Sequence, residues 1–169
     1  MTCLFVLGGA RSGKSRYAQD RAEALGGVSV FVATAQAYDA EMAERIAHHQ
    51  ADRDARWMTV DAPLALPDAI AAHAGAGRVL LIDCLTLWTS NVMLAEQGMD
   101  VATEALVAAI HAAPGTLVIV ANEVGLGIVP DNALARRFRD YAGRLNQRVA
   151  AAADEVVLIT AGLPIKLKG

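Results

Sequence analysis

Cys3-Leu-Phe-Val-Leu-Gly-Gly-Ala-Arg-Ser-Gly-Lys-Ser15 is the stretch whose reading decides the fold of this chain. Apolar residues run without a break from Cys3 to Leu7, the pattern of a strand buried on both faces. The next residues, Gly8, Gly9, Ala10, Arg11, Ser12, Gly13, Lys14 and Ser15, fit G-x-x-x-x-G-K-[ST] at every required position. Such glycines let the backbone turn so that successive N–H groups point at phosphate oxygens. A helix starting near Lys14 would add its positive end to the same spot. In that arrangement Lys14 reaches the β- and γ-phosphates and the Ser15 hydroxyl ligates Mg²⁺. Arg11 reads either as a phosphate contact or as a solvated side chain.

Working outward, the strand–loop–helix unit repeats in outline. A helix from Lys14 to about Leu25 stops at Gly26-Gly27, and Val28–Ala33 reads as a second strand. Residues from about Ala40 to Asp54 read as a charged helix, followed by a short strand at Trp57–Val60. Pro63 and Pro67 open a helix to about Ala74, and Gly75-Ala-Gly77 breaks it. Val79–Asp83 is the clearest buried strand. Helical sequence follows at Leu87–Leu94 and Val101–Ala112, split at Gly98. Thr116–Ala121 is another buried strand, and Asn132 to about Ala153 is a long helix with Leu134, Phe138, Tyr141, Leu145 and Val149 on one stripe. Val156–Thr160 reads as the last strand. Apolar strands alternating with helices predict an α/β phosphate-loop NTPase fold. Its central sheet should be mostly parallel, with helices on both faces.

Composition narrows the class. The chain has 169 residues, a length that suits one domain, 1–169. Hydrophobic residues make up 54% and charged residues 20%, which excludes a disordered chain. The formal charge of −3 lacks the basic excess of a nucleic-acid binder. No apolar run approaches the roughly 20 residues of a membrane span, and no secretory signal is legible before Gly8. Cys3 and Cys84 sit inside apolar runs and read as reduced core thiols of a cytoplasmic protein.

Ligands of open α/β sheets bind beyond the carboxyl ends of the strands. There Asp83 reads as a carboxylate holding Mg²⁺, directly or through water, with the phosphate loop as its partner, or as a surface cap of the next helix. Asn122 and Glu123 end another buried strand, and the segment to Pro130 could wall a second substrate or serve as a capped connector. His48 and His49 lie on the charged helix. Neighbours on a helix point about 100° apart, so at most one of the two faces a given site. A histidine near a bound nucleotide can attack phosphorus and carry the product covalently; an exposed helix with idle histidines is the other reading. His73 and His111 read as surface residues, and Arg136, Arg137, Arg139, Arg144 and Arg148 as a solvated face or a source of charge neutralisation. A GTPase switch is not supported. No Asn-Lys-x-Asp motif occurs, and the one Asp-x-x-Gly, Asp140–Gly143, falls in mid-helix.

Taken together, these motifs resemble the bifunctional adenosylcobinamide kinase / adenosylcobinamide-phosphate guanylyltransferase family of cobalamin synthesis. The resemblance covers nearly the whole chain. It is carried by Gly8–Ser15, Glu41-Met-Ala-Glu-Arg-Ile-Ala-His-His49, Asp83-Cys-Leu-Thr-Leu-Trp88 with Ser90-Asn91, Asn122-Glu-Val-Gly-Leu-Gly-Ile-Val-Pro130 and Phe138-Arg-Asp-Tyr-Ala-Gly-Arg-Leu-Asn-Gln147. The resemblance implies phosphorylation of adenosylcobinamide by ATP or GTP. It then implies transfer of GMP from GTP through a histidine to adenosylcobinamide phosphate, with release of pyrophosphate. It puts the histidine in this pair, His49 being preferred and His48 the alternative. It also implies nucleotide contacts at Gly8–Ser15, at Ala33, Thr34 and Ala35, at Gln50, Ala51, Asp52 and Arg53, at Asp61 and at Asp83. The family also carries Glu at the position of Asp83; Asp is one methylene shorter and can hold its metal through water. A homotrimer with active sites near subunit boundaries is implied as well. The charge and narrow apolar stripe of Tyr38–Arg53 predict weak packing and movement on GTP binding. A kinase without the transferase step, or a non-catalytic nucleotide-binding regulator, are the rival functions.

Overall fold

The computed structural model describes residues 2–36 and 56–169. Strand β1 (Thr2–Gly8) runs into helix α1 (Lys14–Ala24), which leads to β2 (Val28–Ala33). After β3 (Trp57–Asp61) come α2 (Leu66–His73), β4 (Arg78–Asp83), α3 (Leu85–Leu94) and α4 (Met99–Ala112). Then follow β5 (Thr116–Asn122), α5 (Ala133–Ala152), β6 (Glu155–Thr160) and β7 (Leu163–Lys168). The strands form one sheet in the order β3-β2-β4-β5-β1-β6-β7. All neighbours pair in parallel except β6 with β7. The mostly parallel α/β architecture is therefore as the alternation of apolar strands and helices requires.

Each strand feeds one row of side chains to each face, and the two rows build two cores. On one face Phe5, Val32, Leu80, Ile82, Leu117 and Ile119 pack under α2, α3, α4 and α5 through Ile70, Leu85, Trp88, Leu106, Ile110, Leu145 and Val149. On the other, Leu4, Val6, Leu81, Val118, Val120 and Ile159 pack under α1 through Ala18 and Ala22. Alanine at both contact points lets α1 lie close to the sheet. Cys3 and Cys84 are buried free thiols. Burial, with Asp154 beside it, pushes the Cys3 thiol up to about 12. Burial and Asp83 likewise push Cys84 up to about 11.

Three expectations are adjusted. First, β6 is not the last strand: β7 returns antiparallel to it. Ala161 (φ 53°) and Gly162 (φ 80°) make a two-residue turn with both φ positive, the geometry that continues the strand twist. Pro164 fits there because β7 is an edge strand, where a missing N–H is tolerated. Lys168 then folds over the end of α5, its Nζ donating to the carbonyls of Ala150, Ala151 and Ala153 at 3.0, 2.8 and 2.6 Å. Second, the stripe on α5 is buried only at Leu145 and Val149, while Phe138 and Tyr141 are half-buried and Leu134 is exposed. A helix of 20 residues is about 30 Å long against roughly 23 Å for the seven-residue β5, so its first turns overhang the sheet. Third, α3 and α4 begin at Leu85 and Met99, each two residues before the expected start. The predicted helix at 40–54 lies outside the described residues. Among the described residues, no helix is long and apolar enough to cross a membrane.

Candidate nucleotide site

Parallel strands end on one edge of the sheet, and their registers show what meets there. Asp61, Ala33 and Asp83 lie in one row across β3, β2 and β4. Asp83 pairs with Val120 of β5, and two residues further on Asn122 pairs with Gly8 of β1. Asp83 and the phosphate loop thus rise from strands separated only by β5, about 10 Å apart at two strand spacings.

The loop is fixed through its backbone. Glu123 N–H donates to the carbonyl of Gly8 (3.1 Å), Ser12 N–H to that of Gly9 (3.3 Å), and Gly162 N–H to that of Ser12 (2.9 Å). The turn before β7 therefore braces the loop from outside. Gly13, at φ +94°, is the residue before α1, a conformation that disfavours a side chain. A Cβ on Gly8 would stand 2.5 Å from Ser12 Oγ and 2.7 Å from the carbonyl oxygen of Ile159. Lys14 Nζ donates to Gly9 O at 3.2 Å and so lies folded over the loop. Ser15 is in the first turn of α1, half-buried, with Ala10 and Arg11 exposed at the tip. Arg11 itself has φ +56°.

Asp83 is half-buried at the end of β4. Its support is Thr34, which is wholly buried. The Thr34 hydroxyl donates to Cys84 O at 2.7 Å and accepts from Cys84 N–H at 2.8 Å. Its backbone N–H donates to Asp83 O (3.4 Å), and its carbonyl accepts from Asn91 Nδ2 (2.8 Å). Asn91 Nδ2 also donates to Pro63 O, and Trp88 Nε1 to Leu64 O, each at 2.9 Å. Side chains of α3 thereby stitch together the loops that follow β2 and β3. Thr34, expected among the nucleotide contacts, is placed as the residue that holds Asp83 and Cys84, with every polar group engaged inside the protein. Ala33 and Ala35 flank it, half-buried. Asp61 is exposed on the outer strand β3, four strand spacings or about 19 Å from β1. The edge brings it towards Asp83 and not towards the phosphate loop.

Sequence reasoning singled out Asn122 for its place but not the residues that set it. Asn122 N–H donates to Thr86 Oγ1 at 2.7 Å, and its carbonyl accepts from Asn146 Nδ2 at 3.2 Å. Thr86, Asn91 and Asn146 are buried polar residues in otherwise core-facing helix positions. That signal, polar side chains where the helical period calls for apolar ones, is readable in a sequence. Glu123 Oε1 accepts from Gly125 N–H at 2.6 Å and closes the turn that begins the loop to Pro130. Beyond it Leu126, Ile128 and Val129 are exposed. The arginines of α5 are mostly spoken for: Arg136 donates to Pro130 O, Arg144 stacks on Tyr141 and Arg148 pairs with Glu104. His73 and His111 end α2 and α4, which run down to the opposite edge. His48, His49, Gln50, Ala51, Asp52 and Arg53 lie outside the described residues, as does the predicted movement of Tyr38–Arg53.

Among the described residues, no group of three or more His, Cys, Asp or Glu could hold a metal ion. The donors expected to hold the metal are one hydroxyl, Ser15, and one carboxylate, Asp83. That set suits Mg²⁺, which keeps several waters and takes the rest of its ligands from phosphate.

Solved structures share this architecture at low identity. The ATPase EscN of the enteropathogenic E. coli type III secretion system aligns with a TM-score of 0.57 at 10% identity, over 95% of this chain and 43% of that one. The flagellar accessory protein FlaH of Methanocaldococcus jannaschii aligns at 0.50 and 12%, over 99% and 78%. These show the fold alone. Sequence relatives are much nearer. The bifunctional adenosylcobalamin biosynthesis protein CobP of Pseudomonas aeruginosa is 48% identical over 166 residues, 97% of this chain and 96% of the relative. The bifunctional adenosylcobalamin biosynthesis proteins CobU of Salmonella typhimurium and Escherichia coli are 43% and 42% identical, each over 98% of this chain and 99% of the relative. Residues 4–167 match the family described as cobinamide kinase / cobinamide phosphate guanyltransferase, and the chain belongs to that family.

Proposed function

We propose that this protein phosphorylates adenosylcobinamide and then transfers GMP to the product, both reactions drawing on one triphosphate site at the phosphate loop. The observation that carries the reading is the convergence of Gly8–Ser15 and Asp83 on one sheet edge, in a chain that belongs to the kinase / guanyltransferase family. In the first reaction the substrate's alcohol oxygen bonds to the γ-phosphorus of ATP or GTP. The bond to the β–γ bridging oxygen breaks, the nucleoside diphosphate leaves and the alcohol proton passes to water. In the second, an imidazole nitrogen bonds to the α-phosphorus of GTP and pyrophosphate leaves. A phosphate oxygen of adenosylcobinamide phosphate then displaces the imidazole, giving adenosylcobinamide-GDP.

The loop's N–H groups and Lys14 bind and orient the phosphate tail. Ser15 and Asp83 would hold Mg²⁺, which when bound neutralises charge on the phosphate oxygens. The guanylyl-carrying residue is His49 or His48, and Gln50–Arg53, Ala33, Ala35 and Asp61 belong to the nucleotide's further contacts. One domain, 1–169, carries both activities in the cytoplasm. The exposed Leu126, Ile128 and Val129, next to the site, are the apolar surface that a subunit boundary of a homotrimer would cover.

The test is incubation with Mg²⁺ and GTP labelled at the α-phosphate, with a γ-labelled control and no corrinoid. Acid-labile, alkali-stable α-label on the protein, mapped to His49 or His48, is the expected result. Label from the γ-position overturns the mechanism. Light scattering of the eluting protein at a trimer's mass checks the assembly.

A further inference from the structure

Two buried side-chain oxygens have no hydrogen-bond partner among the described residues, Ser12 Oγ and Asn122 Oδ1. Both belong to residues that meet Gly8, one through its side chain and the other through strand pairing. A Cβ on Gly8 would stand 2.5 Å from the first, and Asn122 pairs with Gly8 across the β1–β5 ladder. Ser12 is inside the phosphate loop, but Asn122 is not. It ends the strand that separates the loop from Asp83.

A buried acceptor left unpaired costs about 1–3 kcal/mol. Asn122 is no loose residue that could turn away from that cost. Its N–H is held by Thr86 Oγ1 and its carbonyl by Asn146 Nδ2. The next residue, Glu123, donates its N–H to Gly8 O. Backbone on both sides of the side chain is therefore fixed, which holds the residue and its buried, unpaired amide oxygen at the end of β5, beside the phosphate-loop strand. Phosphate oxygens are acceptors and cannot satisfy it. Its complement is a donor, and in the phosphoryl-transfer reaction the donor that must come to this place is the acceptor alcohol's O–H.

We propose that Asn122 binds the attacking hydroxyl in the kinase step, its Oδ1 accepting the alcohol O–H and aiming the oxygen's lone pair at the γ-phosphorus. The inference rests on the proposed kinase reaction and adds the residue that orients its nucleophile. Asn122 takes no proton; the alcohol proton goes to water as the new P–O bond forms and the β–γ bridge breaks. Orientation of this kind acts on the reacting alcohol and not on the nucleotide alone.

The test compares wild type with Asn122→Ala and Asn122→Asp in two assays on the same protein. One is phosphorylation of adenosylcobinamide by ATP, and the other is GMP labelling of the protein by α-labelled GTP. For Asn122→Ala the expected result is a kinase kcat lower by about 10²-fold, the scale of losing one side-chain amide from a transition state. Nucleotide KM and GMP labelling should stay within about threefold of wild type. Asn122→Asp should be equally poor at pH 8 and recover towards pH 5–6, where the protonated acid again carries no charge beside the phosphates. An unchanged kinase kcat in Asn122→Ala overturns the proposal. So does a parallel fall of both assays with a raised Mg²⁺ requirement, which would assign the amide to the metal–nucleotide complex. Absence of kinase turnover in the wild type would instead sink the kinase reading itself. Asn122→Asp melting at the wild-type temperature, yet showing the pH-dependent kinase defect, separates the role from a loss of fold.

Discussion

Removing the Thr34 hydroxyl should destabilise the fold and weaken nucleotide binding together. Thr34→Val keeps the shape of the side chain and deletes one atom's chemistry. That atom makes two bonds with Cys84, at 2.7 and 2.8 Å, and the residue is wholly buried, so water cannot replace it. Each lost bond is worth about 1 kcal/mol net, and the stranded Cys84 N–H carries a further desolvation cost of about 1–3 kcal/mol, while Cys84 O keeps the Trp88 N–H at 3.2 Å. The extra buried methyl offsets about 1 kcal/mol. The balance is a loss of about 3 kcal/mol, or about 6–12 °C in Tm for a chain of this size. Because Cys84 follows Asp83, the carboxylate should shift with it, lowering Mg²⁺–GTP affinity roughly tenfold, the usual scale for a supporting residue. Thr34→Ser retains both bonds and should lose only about 1 kcal/mol with GTP binding intact. Urea unfolding and calorimetric titration with GTP in Mg²⁺ buffer measure the two effects. If Thr34→Val were within about 0.5 kcal/mol of wild type yet bound GTP poorly, Thr34 would be a direct nucleotide contact and its role as the support of Asp83 would be refuted.

Other outcomes follow from the same geometry. Arg21 donates twice to Glu155 and holds its carboxyl below the usual value of 4.5. A depressed carboxylate contributes stability above its unfolded pKa and loses it as pH falls through the folded one. Glu155→Gln should therefore cost about 0.5–1 kcal/mol at pH 7, since the pair is partly exposed, and that cost should shrink as pH is lowered from 4.5 through the depressed folded pKa in urea titrations run at each pH. Cys3 and Cys84, pushed up to about 12 and about 11, should stay protonated at pH 8 and ignore a thiol-disulfide reagent until the protein is unfolded. Lys168→Met should cost about 1–2 kcal/mol in thermal unfolding, because it strips three carbonyls at the end of α5 of their shared donor.

What could be read from the sequence was whatever a short local pattern specifies. The loop from Gly8 to Ser15 is a contiguous motif, and its strand and helix are fixed by the apolar run before it and the glycine pair after it. The place of Asp83 at the carboxyl end of β4 was legible because the apolar run that it closes is contiguous. The strand β7 was not, because its evidence is non-local: Leu163–Lys168 is exposed throughout, and pairing with β6 alone makes it a strand. Thr34 is the sharper case. A sequence shows a threonine after a strand, and the resemblance assigned that position to the nucleotide. Only the fold brings Cys84 against its hydroxyl from 50 residues away. Thr86, Asn91 and Asn146 stood inside the quoted motifs, but their bracing role was not legible for the same reason, since their partners belong to other elements.

The order of strands suits the proposal that one loop serves two different phosphorus atoms. Kinase chemistry attacks the γ-phosphorus and guanylylation the α-phosphorus, two bridges along the same tail. In that proposal the loop on β1 holds the tail, and Asp83 stands two strands to one side of it. Asn122 ends the strand between them, so a nucleophile held there meets the phosphates from the sheet edge itself. Asp61 continues the row two strands beyond Asp83, further than the tail can reach from β1. A sheet that spaces acidic and amide groups about 5 Å per strand thus sorts ligand parts along its edge by distance from one anchor. On the proposed single site, selectivity between the two reactions comes from the direction of attack. It needs only that the alcohol and the imidazole approach the tail from different directions, one directed by β5 and the other by a residue outside that strand.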